Sequence, residues 1–269
     1  MTIRPRFHAL VGLLLLVLTA VAAAAPSREA VADSPARWAP GQEGLSAGDL
    51  RPFRATFQQT AGGAEAGRRT VSLERELGPD GISWHYVIAI ETSATVHDEL
   101  TFLQADFQPR LRRVSLPGRL QRVEVWRDFE SAVVAVMNGA GDVEQHEIAA
   151  AGPRFPSAAL DLMTALHGLG DATATRKVPV YSSDFGPAGD LWIESVLGDS
   201  EEIEAVGRTF RVRQVKETVL DAAGEPLTMP DGSPFPAFRK WLTPEPPYLV
   251  KAEYGPLKVE LETLTVFGP

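Results

Sequence analysis

The sequence predicts a mainly β fold, a curved antiparallel sheet or incomplete β-barrel with one amphipathic helix as its plug. Three observations lead there: short runs of period-two apolar alternation recur from Phe53 onward, turn-forming clusters separate them, and a single stretch switches to helical periodicity. The clearest strand is Ile82-Ser83-Trp84-His85-Tyr86-Val87-Ile88-Ala89-Ile90. Successive strand side chains alternate, so Ile82, Trp84, Tyr86, Ile88 and Ile90 share one apolar face. Leu257-Lys258-Val259-Glu260-Leu261-Glu262 repeats the pattern and shifts phase at Thr263-Leu264, as a β-bulge does. The helical stretch, Ser157 to Leu169, sets Ala159, Leu162, Met163, Leu166 and Leu169 on one stripe, with Ser157 as the expected cap and Gly168 or Gly170 as the stop.

The elements follow in order. In Met1 to Ala24, Arg4 and Arg6 precede the apolar run Ala9 to Leu18, and Ala22 to Ala25 supply small residues. This is the three-part pattern of a secretory signal peptide, and its apolar core is shorter than the roughly 20 residues of a permanent bilayer span. Cleavage after Ala24 is expected. Residues 25–52 are rich in Ala, Pro, Gly and Ser, with Pro26, Pro35, Pro40 and Pro52 opposing any long element, and read as a flexible leader. A single β-rich domain over 53–269 follows. Turn residues at Gly78-Pro79-Asp80-Gly81, Asn138-Gly139-Ala140-Gly141 and Asp221-Ala222-Ala223-Gly224 divide its strands. Gly224 to Pro236, with Pro226, Pro230, Pro234 and Pro236, reads as a long semi-rigid loop that serves as a lid.

Composition excludes several function classes. The chain has no cysteine, which closes the routes to a lipid-anchored N-terminus, disulfides and thiolate chemistry. Its net charge is −9, and loss of Arg4 and Arg6 with the signal takes it to −11, a poor match for a phosphate backbone, so nucleic acid is set aside. No segment after the signal is long and apolar enough for a stable membrane span.

Motifs add little chemistry. Gly44-Leu45-Ser46-Ala47-Gly48 matches a nucleophile elbow but lacks the strand before it and the helix after it. Asp184-Phe185-Gly186 has no accompanying phosphate loop. The histidines His85, His97, His146 and His167 show no metal-ligand spacing, so neither metal nor cofactor is expected. Arg110, Arg112 and Arg113 open a cluster that reads either as a solvated face or as a contact for an anion or an acidic partner. Trp84, Tyr86, Trp126, Trp192 and Trp241, with Leu162, Met163 and Leu166 of the helix, either fill a core or wall a lipid-sized cavity.

The order of a signal, a run of strands, Phe155-Pro156 leading into the Asp161-Leu162 helix, the Glu201 to Lys216 strand pair, and late Lys240-Trp241-Leu242-Thr243 and Leu249-Val250-Lys251 resembles a family of uncharacterised secreted bacterial β-proteins. Members of that family look like the periplasmic lipoprotein carriers LolA and LolB, an incomplete barrel with a helical plug. The resemblance implies a fold and a cell-envelope setting and transfers no catalytic residue. From the all-apolar strand faces and the lone helix stripe, the expected function is a non-enzymatic periplasmic protein that binds a hydrophobic or amphipathic envelope ligand, a lipid or lipoprotein acyl chain, in its curved sheet. A cell-envelope interaction or scaffold domain with a packed core and an envelope protein partner is the alternative, and a hydrolase is third.

Overall fold

The structure, a computed structural model, describes residues 36–79, 81–92, 94–116, 120–149, 152–170, 175–181, 190–229 and 231–268. The expected signal peptide, the leader as far as Pro35, and Asp184-Phe185-Gly186 lie outside the described residues.

The period-two runs form the strands β1 (Ala36–Arg37), β2 (Phe53–Ala61), β3 (Ala64–Gly78), β4 (Gly81–Glu91), β5 (Thr95–Leu103) and β6 (Pro109–Leu116). They continue as β7 (Leu120–Trp126), β8 (Ser131–Asn138), β9 (Val143–Ala149), β10 (Phe155–Pro156) and β11 (Thr175–Tyr181). The last are β12 (Asp190–Ala205), β13 (Arg208–Leu220), β14 (Phe238–Leu242), β15 (Leu249–Tyr254) and β16 (Leu257–Val266). All belong to one sheet, ordered β1-β11-β12-β13-β14-β15-β16-β2-β3-β4-β5-β6-β7-β8-β9, with β10 also beside β11. Two antiparallel meanders, β2 to β9 and β11 to β16, are joined where β16 pairs with β2. The register of that pair shifts between Leu261 and Thr263, at the bulge the sequence predicts.

The fold is mainly β, as expected, and the sheet curves without closing. Side chains rather than backbone pairing span the gap between its ends. Trp126 of β7 meets Tyr181 of β11 edge-on at 5.1 Å, and the Arg122 guanidinium donates to the Tyr181 hydroxyl at 2.9 Å.

This topology explains the plug. The chain leaves β9 at one edge of the sheet and must re-enter at β11, near the other. It does so through a 3-10 turn (Ser157–Ala159), a short α-turn (Leu160–Met163) and a π-turn (Thr164–Gly168). Ala159, Leu162 and Met163 of the expected stripe are buried, but so are Leu160, Thr164, Ala165 and Gly168 outside it. The segment is therefore enclosed on more than one face. Ser157 makes no capping hydrogen bond and Pro156 occupies the N-cap instead, because the chain enters the turn directly from β10.

Over its described part, 36–52, the segment expected as a flexible leader is packed against the sheet. Trp38, Leu45, Ala47 and Leu50 are buried, the Ala47 amide donates to the Gln104 carbonyl at 2.8 Å, and the Arg51 amide donates to the Tyr248 hydroxyl at 2.7 Å. Burial of these apolar side chains offsets the conformational entropy that the Pro- and Gly-rich composition would otherwise retain. The Gly224–Pro236 loop is likewise pinned. The Leu227 amide donates to Val219 and the Phe235 amide to Leu227, doubling the loop back on β13, and both side chains pack on the core.

Gly67 sits where β3 irregularly meets β2, at φ +146°, and a Cβ there would lie 2.2 Å from the Glu91 carbonyl oxygen. Gly207, at φ +70°, faces open space. Gly67→Ala should therefore lower stability in urea unfolding by more than Gly207→Ala, beyond the roughly 1–3 kcal/mol of backbone strain alone.

Candidate functional site

The residues expected to wall a cavity are split by the structure. Trp84, Tyr86, Leu162 and Met163 are buried in the main core cluster, each no more than 4% exposed, and Trp84 also lines an open cleft beside the leader. The Trp84 indole N–H donates to the Ala47 carbonyl at 3.0 Å, tying the docked leader to β4. Trp126 belongs to a second small cluster with Ala132, Val134, Ile148 and Tyr181. Leu166 is half-buried at the end of the plug. Trp192 leaves the other face of the sheet, since it neighbours the inward Ile193 and strand side chains alternate, and Arg154 lies 5.2 Å over its ring. Trp241, 7% exposed, is buried in the main core cluster, where its indole donates to Glu201 and Lys251 lies 4.5 Å over its ring. The aromatic set is thus core and outer-face packing, not one wall.

The same alternation divides the arginine cluster. Arg112 is 2% exposed on the inner face and grips Asp98 through two hydrogen bonds, of 2.9 and 2.8 Å. Arg113, on the outer face, is exposed and 3.9 Å from Glu99, while Arg110 is half-buried at the irregularity in the β5–β6 register. The three do not form one exposed contact surface. Next to them Arg122 donates to Glu124 at 2.8 Å, and the other Glu124 oxygen accepts from the Trp126 indole at 3.2 Å. Burial, then the Glu124 charge, pushes the Tyr181 phenol above its ordinary value.

A second polar centre joins plug to sheet. Lys240 of β14 places Nζ 2.5 Å from Asp161 on the plug and 2.6 Å from Glu217 of β13. Burial opposes the Lys240 charge, but the two carboxylates outweigh it and hold the ammonium above its usual range. Burial pushes the Glu217 carboxyl up, against the pull of Lys240, and its Oε1 has no hydrogen-bond partner. Buried Arg69 lies beside Tyr254 and Tyr86 in the same surroundings. At the far end of the plug, Arg176 donates to the Gly168 carbonyl and Arg213 to the Leu169 carbonyl, each at 2.9 Å, supplying cations where the backbone presents unpaired acceptors. None of these roles was assigned from sequence. The available signal was phase: Glu217 sits in register with Val215 and Val219, and Lys240 with Leu242, where an apolar residue belongs.

Ser46 is engaged structurally. Its hydroxyl donates to the Gln104 carbonyl at 3.1 Å and accepts from the Gly48 amide at 3.0 Å, while His167 Nε2 lies 2.7 Å from the Ser46 carbonyl oxygen. The imidazole therefore addresses the backbone of Ser46 rather than its hydroxyl. Among the described residues no group of three or more His, Asp or Glu side chains is arranged to hold a metal, and no helix is long and apolar enough to cross a membrane.

Two open clefts flank the packed interior. One, of about 1030 Å³, lies between the docked leader and the Pro244–Tyr248 turn and is edged by Asp49, Arg51, Glu74, Arg75, Glu245 and Phe267. The Tyr248 phenol at its floor is pushed up to about 12, chiefly by burial. The other, of about 620 Å³, lies between the end of the plug and β13 and is lined by Leu166, Leu169, Phe210, Val212 and Arg211.

Lys240→Met should remove the ammonium that Asp161 and Glu217 share and cost about 3–5 kcal/mol in urea unfolding, with much of that recovered when Asp161→Asn and Glu217→Gln are added. The raised folded pKa of Glu217 also sets a pH dependence. The proton's stabilising contribution is complete below the unfolded-chain value and is lost as pH rises through the raised one. Glu217→Gln should therefore flatten the stability profile across and above the carboxylate range.

No protein-family model matches the chain, and no curated protein matches it. Among solved structures, one from Bacteroides fragilis, provisionally classed as an exported protein with a YmcC-like fold, is similar at a TM-score of 0.35 and 8% identity, covering 82% of this chain and 99% of the other. That likeness is too distant to transfer a residue or an activity.

Proposed function

We propose that this protein is a non-enzymatic interaction domain of the bacterial cell envelope, delivered to the periplasm by its N-terminal signal, which engages a protein partner through its surface. One observation carries this reading: the concave side of the sheet is occupied by the protein's own plug, whose Leu162 and Met163 are buried in one core cluster with Trp84 and Tyr86. A carrier that encloses its cargo needs that volume free. The three-part pattern of Met1 to Ala24 supports export.

A second reading keeps an amphipathic ligand, a lipid or lipoprotein acyl chain, and moves it from the lumen to the cleft of about 620 Å³ beside the plug, where Leu166, Leu169 and Phe210 supply an apolar wall and Arg211 a cationic rim.

Organic extraction of the purified protein followed by mass spectrometry separates the two. The interaction domain should release no stoichiometric lipid, and Leu166→Trp, which adds an indole to the cleft, should show no spectral response to palmitate or phosphatidylglycerol vesicles. Stoichiometric lipid together with a saturable response overturns the first reading in favour of the second.

A further inference from the structure

The two ends of the sheet are finished differently. At one end the β11 edge is overlaid by β1 and β10, each adding two residues in parallel. At the other end β9 pairs only with β8, and among the described residues nothing covers its outer edge. Val143 to Glu147 are all exposed. The β8–β9 hairpin is closed by a bond from the Asn138 amide to the Asp142 carbonyl. Antiparallel ladders alternate, so the outward-directed backbone groups of β9 belong to Val143, Gln145, Glu147 and Ala149.

The sheet behind this edge is apolar on its outer face. Val125, Met137 and Val143 are 51%, 37% and 64% exposed, and register places Val125 across from Val133 and Met137 across from Val143. The edge itself is acidic: Asp142, Glu144 and Glu147 lie on or beside β9, and Arg127 answers only Glu147, at 3.0 Å and largely in solvent, where such a pair is worth little. A second copy of the strand would bring the same acids together. A basic strand would meet complementary charge.

We propose that β9 is a docking edge that accepts, as an added antiparallel or parallel strand, an extended segment of an envelope protein in which basic residues alternate with β-branched apolar ones. Backbone pairing with β9 supplies binding, Glu144 on one face of the strand selects positive charge, Val143 on the other receives the apolar positions, and Glu147 adds to the acidic field of the edge. This rests on the interaction-domain reading and names its surface and partner chemistry.

The test uses a labelled heptapeptide alternating Lys and Val, matched to the seven residues of β9, against a Glu/Val counterpart and a Lys/Val version interrupted by Pro. Binding to the full chain is followed by fluorescence anisotropy. Only the uninterrupted Lys/Val peptide should bind, more weakly as salt rises. Gln145→Pro, which removes an outward amide at a position where an edge strand tolerates proline, should weaken binding by about tenfold or more. If circular dichroism shows that variant unfolded, Glu144→Lys with Glu147→Lys provides the second arm and should reverse the preference toward the Glu/Val peptide. Equal binding of both charge types, binding indifferent to Gln145→Pro in a folded variant, or no reversal overturns the proposal, as does a dimer in sedimentation that Gln145→Pro dissolves. Empty lipid extracts with failed peptide binding reject only the β9 site, whereas lipid-loaded protein rejects the interaction-domain reading itself.

Discussion

The structure depends on one topological constraint: a chain that builds an open sheet from two meanders has to travel from one edge back toward the other. Here that route is the short segment between β9 and β11, which runs through the concavity. Everything inside the sheet adjusts to it. Its side chains replace what would have been lumen, its carbonyls require donors from the inner face, and its polar positions need partners away from water. Arg176, Arg213 and Lys240 meet those requirements from β11, β13 and β14. The inner face is consequently apolar beneath the middle of the plug and charged at its contact points.

A charged core of this kind is not primarily a source of stability. Taking Asp161, Glu217, Lys240 and Arg69 out of water costs about as much as their mutual attraction returns, unless the geometry is good and further hydrogen bonds complete it. The pairing does fix position. An apolar stripe could rotate or slide along an apolar sheet with modest loss, whereas a plug whose Asp161 must reach Lys240 and whose last carbonyls must reach two arginines has one seat.

Most of the fold was legible in the sequence because period-two alternation is a local property. The face of β4, the bulge near Thr263 and the single helical interruption all follow from spacing, and the structure contains them. What spacing cannot convey is what lies opposite. Trp84 and Trp241 each looked like cavity wall, yet one donates to the docked leader at Ala47 and the other meets Glu201 and Lys251, a difference decided by which distant element packs on each strand. Arg112 resembled its surface neighbour Arg113 until pairing put Asp98 beside it. The docked leader was masked by its own composition: Pro, Gly and Ala recur through 36–52, while the informative residues were the sparse Trp38, Leu45 and Leu50.

The pairing of β2 with β16 has a temporal consequence. Phe53, the first residue of β2, lies beside Val266, the last of β16. Contacts this distant in sequence are slow to form, because much of the intervening chain must be ordered before they return any energy. The two meanders can each begin locally, but the seam between them waits for the final strand to become available. A chain organised in this way reaches its native state only when both meanders are in place and the β2–β16 seam between them closes.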